Sequence, residues 1–373
     1  MSQRKTGAIA PWAQEEMATA QLNDKRLNQR LTQILSDLGD RPTASIPAAC
    51  GEPTEMTGAY RFFDNAKVTP AAVLEPHFAA TQQRLAEEPV VLLVQDTSEA
   101  DLTRPHQQVE GAGPLDGGKR RGAFAHPVAV FTPNGTPLGT VSMPMWARAE
   151  PAPAVAAPTA SQRRNRPLEE KESFRWVQGL RAARQVAQDL PQTQVVCIGD
   201  SDADLYELFA ESRGEHPVDW LIRGCRDRCV EGEADAGQQK LRQSVQAAPV
   251  LFTHTVTVST REPKTAWEKR SRRTGRTGRR ATVEVRAATV TLHPPRRSGG
   301  VTQREPVPAV PPKLGVMVRL VAQLGGYVNR PNRTDPPGPQ TVWLGLERMH
   351  DLAWAWNTFG PGANKDSNNP EDV

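Results

Sequence analysis

The chain of 373 residues has only four cysteines, Cys50, Cys197, Cys225 and Cys229, too few and too scattered for a disulfide framework. Cys225 and Cys229 have the spacing of half a zinc site, but no second Cys/His pair lies near them, so ordinary reduced thiols are expected. Long apolar runs are also missing. No stretch could span a bilayer, and the first residues, through Gly7, lack the apolar core of a secretory leader, so a cytoplasmic protein with no membrane contact is expected. Neither sign of charge dominates: 46 Lys and Arg stand against 42 Asp and Glu, a net charge of +4. So small an excess does not by itself call for a polyanionic partner, and the placement of the charges matters more. Internal repeats are absent, which excludes a solenoid.

The chain is long enough for more than one domain, and residues 1–88 read as helical. Leu27, Leu31, Ile34, Leu35 and Leu38 fall on one helical stripe, with Lys25, Arg26 and Arg30 off it. Gly39 follows as a stop signal. Tyr60, Phe62 and Phe63 form a second apolar cluster, and Thr69-Pro70 is a cap and first-turn pair for another helix. The basic face suits either solvent or a polyanion, and its charge alone leaves both open.

At residue 89 the pattern changes. Pro89-Val90-Val91-Leu92-Leu93-Val94-Gln95-Asp96 is an apolar run ending in a carboxylate, the pattern of a buried strand. Strands are expected over 125–131 and 138–146, joined by the turn residues Pro133-Asn134-Gly135. A helix over 169–190 places Trp176, Leu180, Ala183, Ala187 and Leu190 on one face. A second buried run, Val195-Val196-Cys197-Ile198-Gly199-Asp200, again ends in Asp. A helix over 204–211 and a strand over 220–223 complete a mixed α/β unit, 89–246. Asp202 and Asp204 suit the start of that helix better than a metal.

From 247 to 295 the pattern is alternating β, with strands expected over 252–259 and 281–292. Between them lies a dense basic stretch containing Arg270, Arg272 and Arg273, of the kind that stays solvated until it meets a polyanion. Residues 296–313 read as a Pro-rich linker, 314–359 as an apolar, Trp-containing helical segment, and 360–373 as a disordered tail.

Two buried strands that each end in Asp need an explanation. Carboxylates brought together from separate strand ends repel, and a divalent cation relieves the repulsion. Magnesium is commonly held by one or two carboxylates plus substrate phosphates, and ion pairs of this kind promote phosphodiester cleavage. An Asp here also serves as a cap for the turn that follows it, and spacing alone leaves both readings open.

Several motifs resemble, in order, those of bacterial cut-and-paste transposases of the IS-four family. They are Gly58-Ala59-Tyr60-Arg61-Phe62-Phe63, Gln95-Asp96-Thr97-Ser98, Glu170-Lys171-Glu172-Ser173, Gly199-Asp200-Ser201-Asp202-Ala203-Asp204 and Trp220-Leu221-Ile222-Arg223. The resemblance implies a helical N-terminal DNA-binding domain, an RNase-H-like mixed sheet core with a β insertion, and a short helical C-terminal segment. It implies that Asp96 and Asp200 are two members of a DDE triad binding Mg²⁺ or Mn²⁺. It adds Tyr60, Arg61 and Arg223 to Lys25, Arg26, Arg30, Arg270, Arg272 and Arg273 as DNA contacts. The implied partners are double-stranded DNA, as transposon ends and target, and a second copy of the chain on that DNA. In the family, a helix with a Tyr/Arg/Glu signature follows the β insertion and supplies the third carboxylate. Here the insertion passes through the linker into Leu314-Gly315-Val316-Met317-Val318-Arg319, which resembles the family's C-terminal part. Neither Glu305 nor Glu347 has the right setting to replace that carboxylate. An internal deletion, and a cleavage-deficient protein, are expected; the rival expectation is a non-catalytic repressor or competitor of related elements.

Overall fold

In the computed structural model the described residues are 8–104, 106–116, 119–150, 159, 161–162, 166–211, 218–231, 238–258, 260, 278–288, 290–294, 307–309 and 340–343. The chain opens with five helices, α1 (Pro11–Glu16), α2 (Lys25–Asp40), α3 (Ile46–Cys50), α4 (Pro53–Phe63) and α5 (Pro70–Leu85). Their starts follow from local chemistry. The Asp24 carboxylate accepts from the Arg26 N–H and the Thr69 hydroxyl from the Ala72 N–H. Pro11, Pro53 and Pro70 occupy first turns, where a missing N–H costs nothing. The stripe on α2 packs as its spacing requires: Leu31 and Ile34 are buried with Leu22, Ala59 and Phe62, and Leu27, Leu35 and Leu38 pack around them. Gly39 does not stop α2, which runs on to Asp40. It is small for another reason, since a Cβ there would lie 2.5 Å from the Trp12 ring.

A mixed α/β unit follows, with β1 (Val90–Gln95), β2 (Ser98–Asp101), β3 (Gly113–Pro114), β4 (Arg121–Ala125), β5 (Val128–Phe131), β6 (Pro137–Ser142) and β7 (Met145–Trp146). It continues through α6 (Phe174–Asp189), β8 (Gln194–Gly199), α7 (Tyr206–Phe209) and β9 (Asp219–Ile222). Five strands form the main sheet in the order β6-β5-β1-β8-β9; β6, β5 and β1 run antiparallel, and β8 and β9 lie parallel to β1. One face buries Val91, Leu93, Val128, Val130, Cys197 and Ile222 against Trp176, Val177, Leu180 and Ala183 of α6. Each fully buried Val or Leu contributes roughly 1.5–3 kcal/mol.

The strands expected over 125–131 and 138–146 are each broken in two. β4 and β7 pair in a second sheet with β2 and β3, whereas β5 and β6 pair in the main sheet. The breaks fall at Pro127 and Pro144, which have no N–H to give a ladder. One folded ribbon therefore serves both sheets, held at the bend by the His126 N–H donating to the Pro144 carbonyl at 2.9 Å. The Thr132–Thr136 turn closes the β5–β6 hairpin with Gly135 at φ 86°, a left-handed conformation that suits glycine.

The helical unit is joined to this sheet at the edge strand β6. Gly139 of β6 has φ 136° and touches α5 so closely that a Cβ would sit 2.1 Å from the Thr81 hydroxyl. Arg84 donates to the Leu138 carbonyl at 2.6 Å, and the Thr140 N–H donates to His77 Nε2 at 3.0 Å. Both α5 side chains also bind Glu16 of α1. Burial alone would raise the Glu16 pKa, but hydrogen bonds to Arg84 and His77 outweigh it and hold the carboxyl below its ordinary value.

Beyond β9 come β10 (Cys229–Glu231), β11 (Gln238–Lys240), α8 (Leu241–Ala247), β12 (Val250–Val258), β13 (Arg279–Arg286), β14 (Val290–Leu292), β15 (Val307–Ala309) and β16 (Gln340–Trp343). The single strand expected over 281–292 is two: β13 pairs with β12, and β14 crosses to β10. Within the expected linker, 307–309 forms a strand against β14, with Pro308 opposite Thr291; the extended backbone that proline favours fits a strand as well as a linker. Within the expected helical segment, Gln340–Trp343 is a strand parallel to β13. The local Thr341-Val342-Trp343 run, β-branched and aromatic, governs there. The rest of 314–359, the tail 360–373, and Glu305 and Glu347 lie outside the described residues.

Candidate metal and DNA-binding site

Asp96 and Asp200 each follow the last residue of a strand, and those strands are adjacent and parallel. Val94 stands opposite Ile198 in the β1–β8 register, so both acids leave the sheet at the same end. This is the end at which open α/β sheets bind their ligands. Asp200 is buried and Asp96 half-buried. Each carboxylate also shapes its own turn: Asp96 Oδ1 accepts from the Thr97 N–H and Asp200 Oδ1 from the Asp202 N–H, both at 2.8 Å. The capping role expected of an Asp at these positions is thus filled at both residues. Among the described residues, no group of three or more His, Cys, Asp and Glu side chains is gathered as a metal site.

Behind Asp96 runs a buried polar chain that the sequence did not disclose. The Thr97 hydroxyl is 2.8 Å from His126 Nδ1, His126 Nε2 is 3.0 Å from Gln95 Oε1, and Gln95 Nε2 donates to the Cys197 thiol sulfur at 3.2 Å. The amide and ring are fully buried. The tautomer follows from the partners: Nε2 must carry the proton to reach an amide oxygen, leaving Nδ1 to accept from Thr97. Burial, with help from the nearby Arg175 charge, lowers the His126 pKa to about 4, and burial pushes the Cys197 thiol up to about 12. The Trp176 ring meets His126 edge-on with centroids 4.8 Å apart, and Gly179 lets α6 approach, since a Cβ there would lie 2.0 Å from Gln95 Oε1. The chain ties the ends of β1 and β8, the ribbon bend and α6 into one unit. Its only sequence trace is a polar Gln95 at the close of an apolar run.

On the Asp200 side the helix expected over 204–211 is shortened to Tyr206–Phe209. Asp204 does not start it. Its buried carboxylate pairs with Arg228 and accepts the N–H groups of Cys225 and Arg226, both at 2.8 Å. Arg223 follows β9, and its N–H reaches the Gly199 carbonyl at 3.1 Å, so it stands beside the strand that carries Asp200. Glu172, from the quoted Glu170-Lys171-Glu172-Ser173 motif, takes Arg148 in two bonds of 2.6 Å. Arg175, Trp146, Phe124 and Arg148 stack in that order, with the two rings 5.3 Å apart.

In the helical unit, Lys25, Arg26, Tyr60 and Arg61 are exposed. Arg26 folds back on Asp24, and Arg30 is paired with Glu55 and packed over Gly58. The two arginines therefore brace α2 in this structure. Residues 9–68 match the family model described as transposase DNA-binding. The match spans α1 to α4 and supports a DNA-binding transposase. Tyr60 and Arg61 lie side by side near the end of α4, within it, and the exposed ring of Phe63 adds to the same helix. Arg270, Arg272 and Arg273 lie outside the described residues. All four cysteines are free thiols. No helix among the described residues is long and apolar enough to cross a membrane.

Proposed function

We propose that the protein is a DDE-class transposase with an RNase-H-like core, that it binds double-stranded DNA, and that Asp96 and Asp200 are its acidic pair for Mg²⁺ or Mn²⁺. The observation that carries the reading is two aspartates at the same end of adjacent parallel strands, in a chain whose first helices match a transposase DNA-binding model. The sheet order, three antiparallel strands followed by two parallel ones, supports the core assignment. Two hard carboxylate donors beside Arg223 fit a small divalent cation bound jointly with phosphate. When bound, the cation supplies Lewis acidity and an activated water for phosphodiester cleavage.

The chain's own residues do the rest. Asp96 and Asp200 supply oxygen donors, the Gln95–His126–Thr97 chain fixes the turn bearing Asp96, and Arg223 approaches the DNA backbone. With no third carboxylate at the family's spacing, cleavage is impaired by about a thousandfold or more, the equivalent of several kcal/mol in the barrier. The product is a transposase-family DNA-binding protein with little cleavage activity.

Mn²⁺ titrated into the purified protein by calorimetry tests the metal site. Weak binding lost in both Asp96→Asn and Asp200→Asn is expected. Equal Mn²⁺ binding by these variants and the parent protein would remove the site.

A further inference from the structure

The sheet leaves one basic loop at the same end as the two acids. β9 stops at Ile222, opposite Gly199, and the next N–H, that of Arg223, still bonds to the Gly199 carbonyl at 3.1 Å. Residues 223–228 therefore begin alongside Asp200. This short loop contains Arg223, Arg226 and Arg228. Its one acid is turned elsewhere, since the Asp227 carboxylate accepts the Arg242 N–H at the start of α8, at 3.0 Å.

The loop is held from beneath by Asp204. One carboxylate oxygen accepts the consecutive N–H groups of Cys225 and Arg226; the other takes the Arg228 guanidinium through Nε at 2.9 Å and through Nη2. The same Nη2 donates to the Asp204 carbonyl at 2.6 Å, and the guanidinium lies over the Phe209 ring. Arg228 is 7% exposed and the Asp204 side chain 0%. A buried ion pair loses to desolvation most of what attraction returns, so an apolar pair of similar volume would serve stability as well. What an apolar pair could not do is hold two backbone N–H groups in place. The outcome of that hold is an exposed Arg226 whose backbone is fixed to Asp204, in the segment that follows Asp200.

We propose that residues 223–228 form a phosphate-binding loop preassembled next to Asp200, with Arg226 as a DNA-backbone contact and the buried Asp204–Arg228 pair as its positioning residues. The inference rests on the reading of the chain as a DNA-binding protein. Its electrostatic logic is that a guanidinium carried on a backbone already held in place displaces condensed counterions without the loop first having to be ordered.

The test uses the full chain and a fluorescent duplex, with affinity measured by anisotropy over a range of salt concentrations and thermal unfolding run in parallel. Four proteins suffice: the parent, Arg226→Ala, the charge-neutral double variant Asp204→Leu with Arg228→Met, and the triple variant. Arg226→Ala should lower the salt slope by about one, the value for one lost phosphate contact. The double variant should unfold cooperatively near the parent's midpoint yet show the same loss of slope, and adding Arg226→Ala to it should change nothing further. A folded double variant with the parent's slope would make the pair purely structural and sink the proposal. Additive losses in the triple variant would sink it too. Arg226→Ala needs no change in the core, so an unchanged slope there overturns the inference even if the double variant does not fold. A parent protein that binds no duplex would instead overturn the broader reading.

Discussion

Replacing Gly179 by alanine should destabilise the protein, although the same change in an exposed helix interior would stabilise it by about 1 kcal/mol. Gly179 lies within α6, and a Cβ there would meet Gln95 Oε1 at 2.0 Å and the amide carbon at 2.8 Å. The amide cannot move aside cheaply. It is fully buried, accepts from His126 Nε2 at 3.0 Å and donates to Cys197 at 3.2 Å. Displacing it breaks both bonds and leaves a buried imidazole N–H without its acceptor, at roughly 1–3 kcal/mol for the orphaned group. Overpacking adds about 1–3 kcal/mol. After the helix-propensity gain is subtracted, a net loss of roughly 1–5 kcal/mol is expected. Urea unfolding followed by far-UV circular dichroism should show a lower midpoint with the m-value unchanged. A midpoint equal to or above the parent's would refute the argument that the Gln95 amide is held in place by its partners.

His126 gives a pH test. Its folded pKa of about 4 lies below its ordinary value, so the unfolded chain binds the proton first. Stability should be full above about pH 6.5 and fall by about 3 kcal/mol as pH drops towards 4, and His126→Phe should flatten that part of the profile. Arg228→Ala strands the buried Asp204 carboxylate and should cost about 3–5 kcal/mol in denaturant unfolding. Charge reversal at Lys25 and Arg61, or at Arg270, Arg272 and Arg273, should weaken duplex binding and flatten its salt dependence in an anisotropy titration. The same reversal at Arg30 should lower the melting temperature as well, because it also breaks the pair with Glu55.

The parts of this molecule that were legible in the sequence are those written in short-range periodicity. The stripe on α2, the cap at Thr69 and the two apolar runs closing in Asp96 and Asp200 each declare themselves within a dozen residues, and the structure contains them. The strand breaks at Pro127 and Pro144 were written there too, in the missing N–H groups, but continuous β patterning on either side masked them. Asp204 looked like a helix start because its only nearby features are those of a cap; its real partner is Arg228, brought close by the turn back from β9. The chain from Thr97 to Cys197 joins residues from two strands, the turn after β1 and the ribbon bend, and no local pattern signals such a contact. Gly39 and Gly179 show the same limit. Gly39 reads as a helix stop and Gly179 gives no local signal, yet each proves to be where a ring or an amide presses in.

We propose that this chain engages DNA through transposase-like elements while its acidic pair is insufficient for cleavage. The most direct measurement incubates end-labelled duplex with the purified protein in Mg²⁺ and, separately, in Mn²⁺, and scores retardation and strand breakage in the same samples. Salt-sensitive retardation with no nicked product in either metal is the expected result. Nicking that depends on the metal and disappears in Asp96→Ala would contradict the account, and would direct the search for a further ligand to Glu305 or Glu347.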